Sequence, residues 1–453
     1  MALRVFLFAL MFGTAALYGG TPDPEIQKIV SEISSDRIAA TMKKLESFGT
    51  RGNFTDPKQE GRGIGAARRW IRAEFEGYSP RLQVSFNSWN VKKKGRILRD
   101  VELVNVVAVL PGTSKPESRI VIGGHYDSLN LLASVTGGDG AGDATTNEKT
   151  IDAPAPGVGD DASGVAVVME LARVLSRRQF EKTLVFVAFQ GEEIGLVGST
   201  LFAQDARKNN VPIEAMLNND IVGTDVADNG RAEDGYVHVF SAEPADSLSR
   251  TLARYVRETA ARYVPGFRAE PVFRADRFTR GGDHTPFAQN GYAAVRFTTP
   301  AENLGIQHTD KDTFEKTSPA YAAKVAQVNA AAAASLASAP LAPVVVREVA
   351  TGPNKGRTNP MLARGASRVD AVLRWKDENP AADLAGYVVV VRSTTAPFWE
   401  QEIAVGKVAE YTLAGVNIDA VVLGVKAVDK SGNESLVSVY TVNEYPRAQI
   451  ELQ

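Results

Sequence analysis

The chain has 453 residues, enough for two or three domains. Its 44% hydrophobic and 23% charged residues are the composition of a folded globular protein and exclude disorder or coiled coil as its main content. Lys plus Arg number 51 against 53 Asp plus Glu, a net charge of −2, so no overall basic excess draws it to nucleic acid or anionic lipid. There is no cysteine, which removes disulfides, thiolate metal ligands and a cysteine nucleophile from consideration.

In chain order, the first twenty residues stand apart. Arg4 precedes an apolar run, Val5 to Leu17, followed by Tyr18-Gly19-Gly20 and a polar stretch. A positive start, a short apolar segment and small residues behind it predict a signal peptide over 1–20 and a secreted or periplasmic location. At 13 residues the run is short of the ~20 that a spanning helix needs, so no stable membrane span is expected. Residues 25–87 read as mostly helical, from Ile29, Ile33 and Ile38 to the amphipathic Ala66–Phe75.

From about residue 100 the pattern becomes short apolar runs that end in polar or glycine-rich turns. These are Leu103–Leu110, Arg119–Gly124, Leu184–Phe189, Ala215–Val222, Tyr236–Phe240 and Tyr292–Phe297, with a helix over Gly164–Ser176. Buried strands alternating with helices predict an α/β fold, a mostly parallel central sheet flanked by helices, with functional groups beyond the carboxyl ends of the strands. The alanine-rich Tyr321–Ser338 reads as a closing helix, and Pro340 and Pro343 mark a boundary. Beyond them the runs Arg368–Trp375, Gly386–Arg392, Tyr411–Leu413 and Val421–Val428 predict a small C-terminal β-sandwich over 342–453, with Trp375 and Tyr387 in its core.

Without thiolates a metal site must use His, Asp and Glu, and the chain has only four histidines. His125 ends one apolar run, with Asp127 two residues on. Asp160-Asp161 is set among glycines before a helix, where one aspartate would suffice as a cap. Glu192-Glu193 follows the six apolar residues Leu184–Phe189, Asp220 lies within the run Ala215–Val222, and His308 follows the Tyr292–Phe297 run. The successive intervals from His125 to Asp160, on to Glu193, on to Asp220 and on to His308 are 35, 33, 27 and 88 residues, the first three each about one β-α unit. Five nitrogen and oxygen ligand candidates would therefore meet at one edge of the sheet, a set that suits zinc and, in number, two Zn2+ sharing a carboxylate.

His125-Tyr126-Asp127-Ser128, Asp160-Asp161-Ala162-Ser163-Gly164, Gly191-Glu192-Glu193-Ile194-Gly195, Asn219-Asp220 and His308-Thr309 through Asp312-Thr313 resemble, in this order, the two-zinc aminopeptidases of the bacterial leucyl aminopeptidase type. The likeness covers roughly 45–335, including Leu45–Arg51 and Gly281–His284, and implies a zinc peptidase domain over 21–339 acting on peptide substrates. It implies that Asp160 bridges two zincs, one also held by Glu193 and His308, the other by His125 and Asp220. Asp127 would orient His125, Glu192 would be the catalytic base, and the Asp160–Asp161 peptide would be cis. The strings around Trp375, Tyr387 and Lys426–Ser435 resemble a fibronectin type III module. Two other readings share the fold: a glutaminyl cyclase-type acyltransferase with one zinc, and a peptidase-like binding protein without catalysis. Retention of every ligand candidate favours the aminopeptidase. His284 reads as structural rather than a ligand, and His238 as a residue on a strand face. The acidic, glycine-rich insert between Ser128 and Asp160 carries no assigned role. The triplets at Asn53 and Asn433 match the glycosylation pattern, which is frequent by chance.

Overall fold

The computed structural model describes residues 22–131, 151–241, 246–274, 280–349 and 358–441, apart from 361, 366, 368, 380 and 381. The signal-peptide stretch and most of the glycine-rich insert lie outside the described residues. The chain divides into two compact units, with the boundary between Ser338 and Ala339.

The larger unit opens with three helices, α1 (Pro24–Ser31), α2 (Ser35–Ser47) and α3 (Gly63–Tyr78). Ser34 caps α2, its hydroxyl accepting the Arg37 N–H. Strand β1 (Gln83–Val91) follows, so the mostly helical reading of 25–87 holds through α3 and fails only at its end, from Gln83 on. The reason lies in the period: apolar Val84 and Phe86 alternate with polar residues, a strand pattern, and exposure alternates with it along the edge of the sheet.

The remaining strands are β2 (Val101–Leu110), β3 (Lys115–His125), β4 (Lys182–Phe189), β5 (Ile213–Asn219), β6 (Tyr236–Ser241), β7 (Arg268–Phe273) and β8 (Ala294–Thr298). They form one eight-stranded mixed sheet in the order β1-β2-β4-β3-β5-β8-β6-β7. Its centre, β4-β3-β5-β8, is parallel throughout, and antiparallel pairs flank it. Strand β7 had no counterpart among the sequence-based expectations. Its stretch, Arg-Ala-Glu-Pro-Val-Phe, is charged and interrupted by Pro271, as an edge strand tolerates.

Helices cover both faces. Four further ones are α4 (Ser163–Leu175), α5 (Val197–Lys208), α6 (Leu248–Tyr263) and α7 (His284–Gln289), and α8 (Pro319–Ser338) closes the unit. On one face Val107, Val121, Val187, Phe189 and Met216 pack with Ala203 of α5 and Phe287 of α7. On the other, α4 lies against β3, β4 and β5, and α8 packs on α1, α2, α4 and α6. The alanine run of α8 follows from that position. A helix crowded by neighbours on most sides is apolar nearly all round, and small side chains let the backbones approach. Within it Asn329 and Asn219, the last residue of β5, exchange amide hydrogen bonds at 3.2 and 3.0 Å, tying the strand end to the helix.

The parallel register aligns three strand ends. His125 is level with Phe189, and Gly123 pairs with Asn218, which puts Asp220 beside His125 just past its strand. Asp220 had been expected inside a strand running to Val222. Instead β5 ends at Asn219, because Ile221 adopts a left-handed φ of 60° and turns the chain away.

The smaller unit contains two antiparallel four-stranded sheets and one two-stranded pair. Ala371, Leu373 and Trp375 from one sheet and Tyr387, Val389, Leu423 and Val425 from the other share a core, the arrangement of a β-sandwich. Trp375 and Tyr387 meet edge to face at 5.4 Å, as their expected place in the core requires.

Gly65 of α3 lies so close to the backbone of Pro57 that a Cβ would fall 1.9 Å from the Pro57 carbonyl oxygen. Gly65→Ala should therefore destabilise the protein by about 1–3 kcal/mol, reversing the ~1 kcal/mol that alanine gains at an open helix position. Denaturant midpoints of the two proteins check this. A more stable variant would show that the contact yields.

Candidate metal centre

Beyond the ends of β3, β4 and β5 the chain gathers the residues singled out in the sequence. His125 Nε2 lies 3.0 Å from Asp160 Oδ1, and His308 Nε2 lies 3.1 Å from Asp160 Oδ2 and 3.2 Å from Glu193 Oε2. The two oxygens of Asp160 thus face different imidazoles. Two sets bring potential ligand atoms within 4.8 Å of one another: His125, Asp160 and Glu193, and His125, Glu192 and Asp220. His125, Asp160, Glu193 and Asp220 are buried, and His308 remains partly exposed. Glu192 is half-buried at its surface yet surrounded by protein.

The charges explain what this assembly is for. Burial and the Asp220 and Glu193 carboxylates push Glu192 well above the ordinary carboxylate range, against the pull of His125. Burial raises Glu193 as well. Burial works against charge on His125 and His308, yet the carboxylates around them hold both well above the usual imidazole range. Asp160, paired with both imidazoles, is held well below the carboxylate range although burial opposes this. Such crowding of buried acids is costly unless cations balance it. Glu193 Oε1 is buried and has no hydrogen-bond partner among the described residues. Two imidazoles, a carboxylate facing two ways and a buried carboxylate oxygen without a donor fit zinc, whose preferred ligands are these nitrogens and oxygens.

A second layer of groups fixes these positions. The Asp160–Asp161 peptide is cis, as the family likeness implied. Asp161 points away from the two metal-ligand sets. Its carboxylate accepts N–H groups from His125 (3.1 Å), Gly164 at the start of α4 (2.9 Å) and Ile221 (3.2 Å). Asp312 accepts the N–H groups of Gly159 (2.8 Å) and Asp160 (3.0 Å), while its own carbonyl accepts that of Val158. Burial pushes the Asp312 carboxyl up to about 6. Arg51, fully buried, donates to the carbonyls of Tyr126, Leu45, Pro156 and Gly157 and so clamps the loop entering Asp160 against the residue after His125.

Asp127 acts somewhat differently from its expected role. His125 Nδ1 lies 3.1 Å from the Asp127 main-chain oxygen and 3.6 Å from its carboxylate, which accepts from Asn53 Nδ2 (2.6 Å) and the Glu193 N–H (3.2 Å). Asn53 is thus a buried donor within the site, not an exposed glycan acceptor. Asn433 is likewise buried, donating to Asp429 at 2.9 Å. His284 opens α7 and is buried, and His238 sits on β6 between Tyr236 and Phe240, as expected. Beside His284, Asp283 is pushed up to about 7 by burial, with Asp220 and Asp127 adding to it.

Sequence reasoning missed the work of Asp161 and the whole of Arg296, whose Nη2 lies 2.9 Å from Asp220 Oδ1. A signal existed for each: the second acid of a pair set between glycines, and one charge inside the apolar run Ala293–Phe297.

The sheet and its helices form the mixed α/β fold of the zinc exopeptidases, with a cluster of metal-ligand candidates at its strand ends. The profile of Peptidase family M28 matches residues 105–333. A probable zinc metalloprotease of Leptosphaeria maculans is 36% identical over 445 residues, covering 91% of this chain and 96% of that protein. The chain belongs to peptidase family M28 and is a zinc-dependent peptidase. Among solved structures, the LapA aminopeptidase of Legionella pneumophila is similar with a TM-score of 0.52 and 23% identity, over 69% of this chain and 75% of that one. Porphyromonas gingivalis glutaminyl cyclase is similar at a TM-score of 0.51 and 18% identity, over 67% of this chain and 98% of that one. At those identities the two establish the fold they share with this chain.

Asp312→Asn keeps the side chain's shape but turns an amide donor toward a backbone N–H. Loosening the Asp160 loop in this way should weaken zinc retention by about 10–100-fold. Zinc content against a graded chelator measures it, and unchanged retention would mean that Arg51 holds the loop alone.

Proposed function

We propose that the protein is an exported two-zinc aminopeptidase. The observation that carries the two-metal reading is Asp160, whose oxygens face His125 on one side and His308 with Glu193 on the other. One zinc would be held by Asp160, Glu193 and His308, and the other by Asp160, His125 and Asp220. Bound zinc supplies Lewis acidity to the scissile carbonyl and the attacking water. Glu192 takes the proton of that water and delivers it to the leaving amine. Burial first, and then the acids around it, raise its proton affinity. Asp127 keeps the Glu193 backbone and Asn53 in place.

The amino-end reading rests on charge. Four carboxylates, Asp160, Glu192, Glu193 and Asp220, face the site, and a carboxylate not fully committed to metal can hold an α-ammonium by a charge-assisted hydrogen bond. A carboxypeptidase needs a free cation for the terminal carboxylate. Among the described residues, Arg280 and Arg296 act on Asp220 and both are engaged, Arg280 with Glu302 and Arg296 with Asp220 itself. The apolar segment Val5–Leu17 supports export, and no described helix is long and apolar enough to cross a membrane.

Glu192→Gln should retain zinc and lose at least ~10²-fold in kcat. A near-normal kcat with full metal content would remove Glu192 from the base role. Peptides with an acetylated amino terminus should be cut far more slowly than free ones in a matched panel. Equal rates would replace the aminopeptidase by an endopeptidase or carboxypeptidase.

A further inference from the structure

We infer that the two metal positions are unequal and that Arg296 makes them so: the position served by Asp220 holds its zinc more weakly than the one served by Glu193 and His308. This rests on the two-zinc reading above. Arg296 lies on β8, 3% exposed, with Nη2 2.9 Å from Asp220 Oδ1 and Nη1 donating to the Gly281 carbonyl. The backbone is shaped around it, since a Cβ on Gly282 would lie 3.1 Å from Arg296 Cδ. A guanidinium stays protonated at any working pH, so a full positive charge is fixed on one ligand candidate before any metal arrives.

Among the described residues no such group sits on Glu193 or His308 at the other position. His308 bonds to Glu193 and to Asp160. The buried cation nearest in effect, Arg51, spends its donors on main-chain carbonyls, and Asp312, Asp127 and Asp161 act on it more strongly than Glu193 does. Asp160 serves both positions and cannot distinguish them. Arg280 is paired with Glu302, and the rest of its charge is felt at Asp220 and at the shared Asp160.

Two effects of Arg296 oppose one another. As a hydrogen-bond donor it orients Asp220, which by itself would strengthen binding. As a cation it draws charge from the carboxylate and repels a dication at close range. Groups behind a ligand usually strengthen it because they are acceptors, carboxylates or carbonyls that add negative charge. Here the partner is a cation and the surroundings are buried, so repulsion is poorly screened and outweighs orientation.

The test is zinc content per chain of the full-length protein, by elemental analysis, during titration with a competing chelator. Wild type should release its two zincs in steps separated by at least ~10-fold in free zinc. Asp220→Asn should abolish only the weaker step. Arg296→Met should tighten that step by ~10-fold or more, while Arg296→Lys, which keeps the charge, should leave it weak. Two zincs leaving wild type in one step, a weak step that survives Asp220→Asn, or a looser step in Arg296→Met would each overturn the inference. The wild-type and Asp220→Asn arms stand whether or not Arg296→Met folds. A chain that never holds more than one zinc at saturation would overturn the two-zinc reading itself, and this inference with it.

Discussion

The centre depends on one buried carboxylate outside both metal-ligand sets. Asp161 accepts backbone N–H groups at His125, at Gly164 and at Ile221, which stand at the end of β3, the start of α4 and just past the end of β5. Three elements that each supply or flank a ligand candidate are thereby tied to the residue next to Asp160. The arrangement constrains the sequence around it. A Cβ at Gly164 would lie 2.3 Å from the Asn219 carbonyl and 2.4 Å from Asp161 Oδ2, so the helix can reach the strand ends only with glycine there. Burial raises Asp161 well above the carboxylate range, a cost offset by its three N–H donors and by the charge of His125.

Around this hub the peptidase concentrates acids in its interior. The supports mostly grip the backbone: Asp161 and Asp312 accept amide hydrogens, and Arg51 donates to carbonyls. The side chains of Asp160 and Glu193 remain turned toward the imidazoles and the space they share. Arg296 is the exception, since it grips a ligand candidate by its carboxylate. Backbone strain gathers at the same place. Ile221 and His308 both hold left-handed φ values, 60° and 54°, that side-chain-bearing residues seldom adopt.

The chemistry was legible in the sequence because parallel strands turn spacing into position. Apolar runs that end in His125 or just before Glu192-Glu193 announce strand ends, whereas the run through Asp220 to Val222 hides where β5 stops, and one β-α unit between them brings successive ends to one edge. Contributions made through the backbone were less legible. Which N–H groups Asp161 and Asp312 would accept depends on how three loops meet, and no local pattern encodes that. Strand β1 was read as part of a helical region because a helix precedes it and its alternation is brief, and β7 was passed over because edge strands need little apolar content. Asn53 carried a triplet that pointed to the surface, whereas burial and a 2.6 Å bond to Asp127 place it in the site.

The flanks of the site follow from the same topology. Besides Asp160, which precedes α4, His308 is the ligand candidate that does not sit at or just beyond a strand end. It is supplied by the stretch before α8, and its carbonyl accepts the Leu131 N–H while Asp312, four residues on, grips the Asp160 loop. Two loops from opposite ends of the unit therefore hold each other, and neither can move without disturbing a ligand candidate. The ordered strand ends carry His125 and Asp220 on rigid ground, whereas Asp160 and His308 owe their positions to this mutual grip. The Glu193–His308 half is thus completed by the stretch between β8 and α8, not by the strand ends alone. Zinc bound there would stabilise the closure of the whole unit rather than of one strand pair, as binding only the folded state requires.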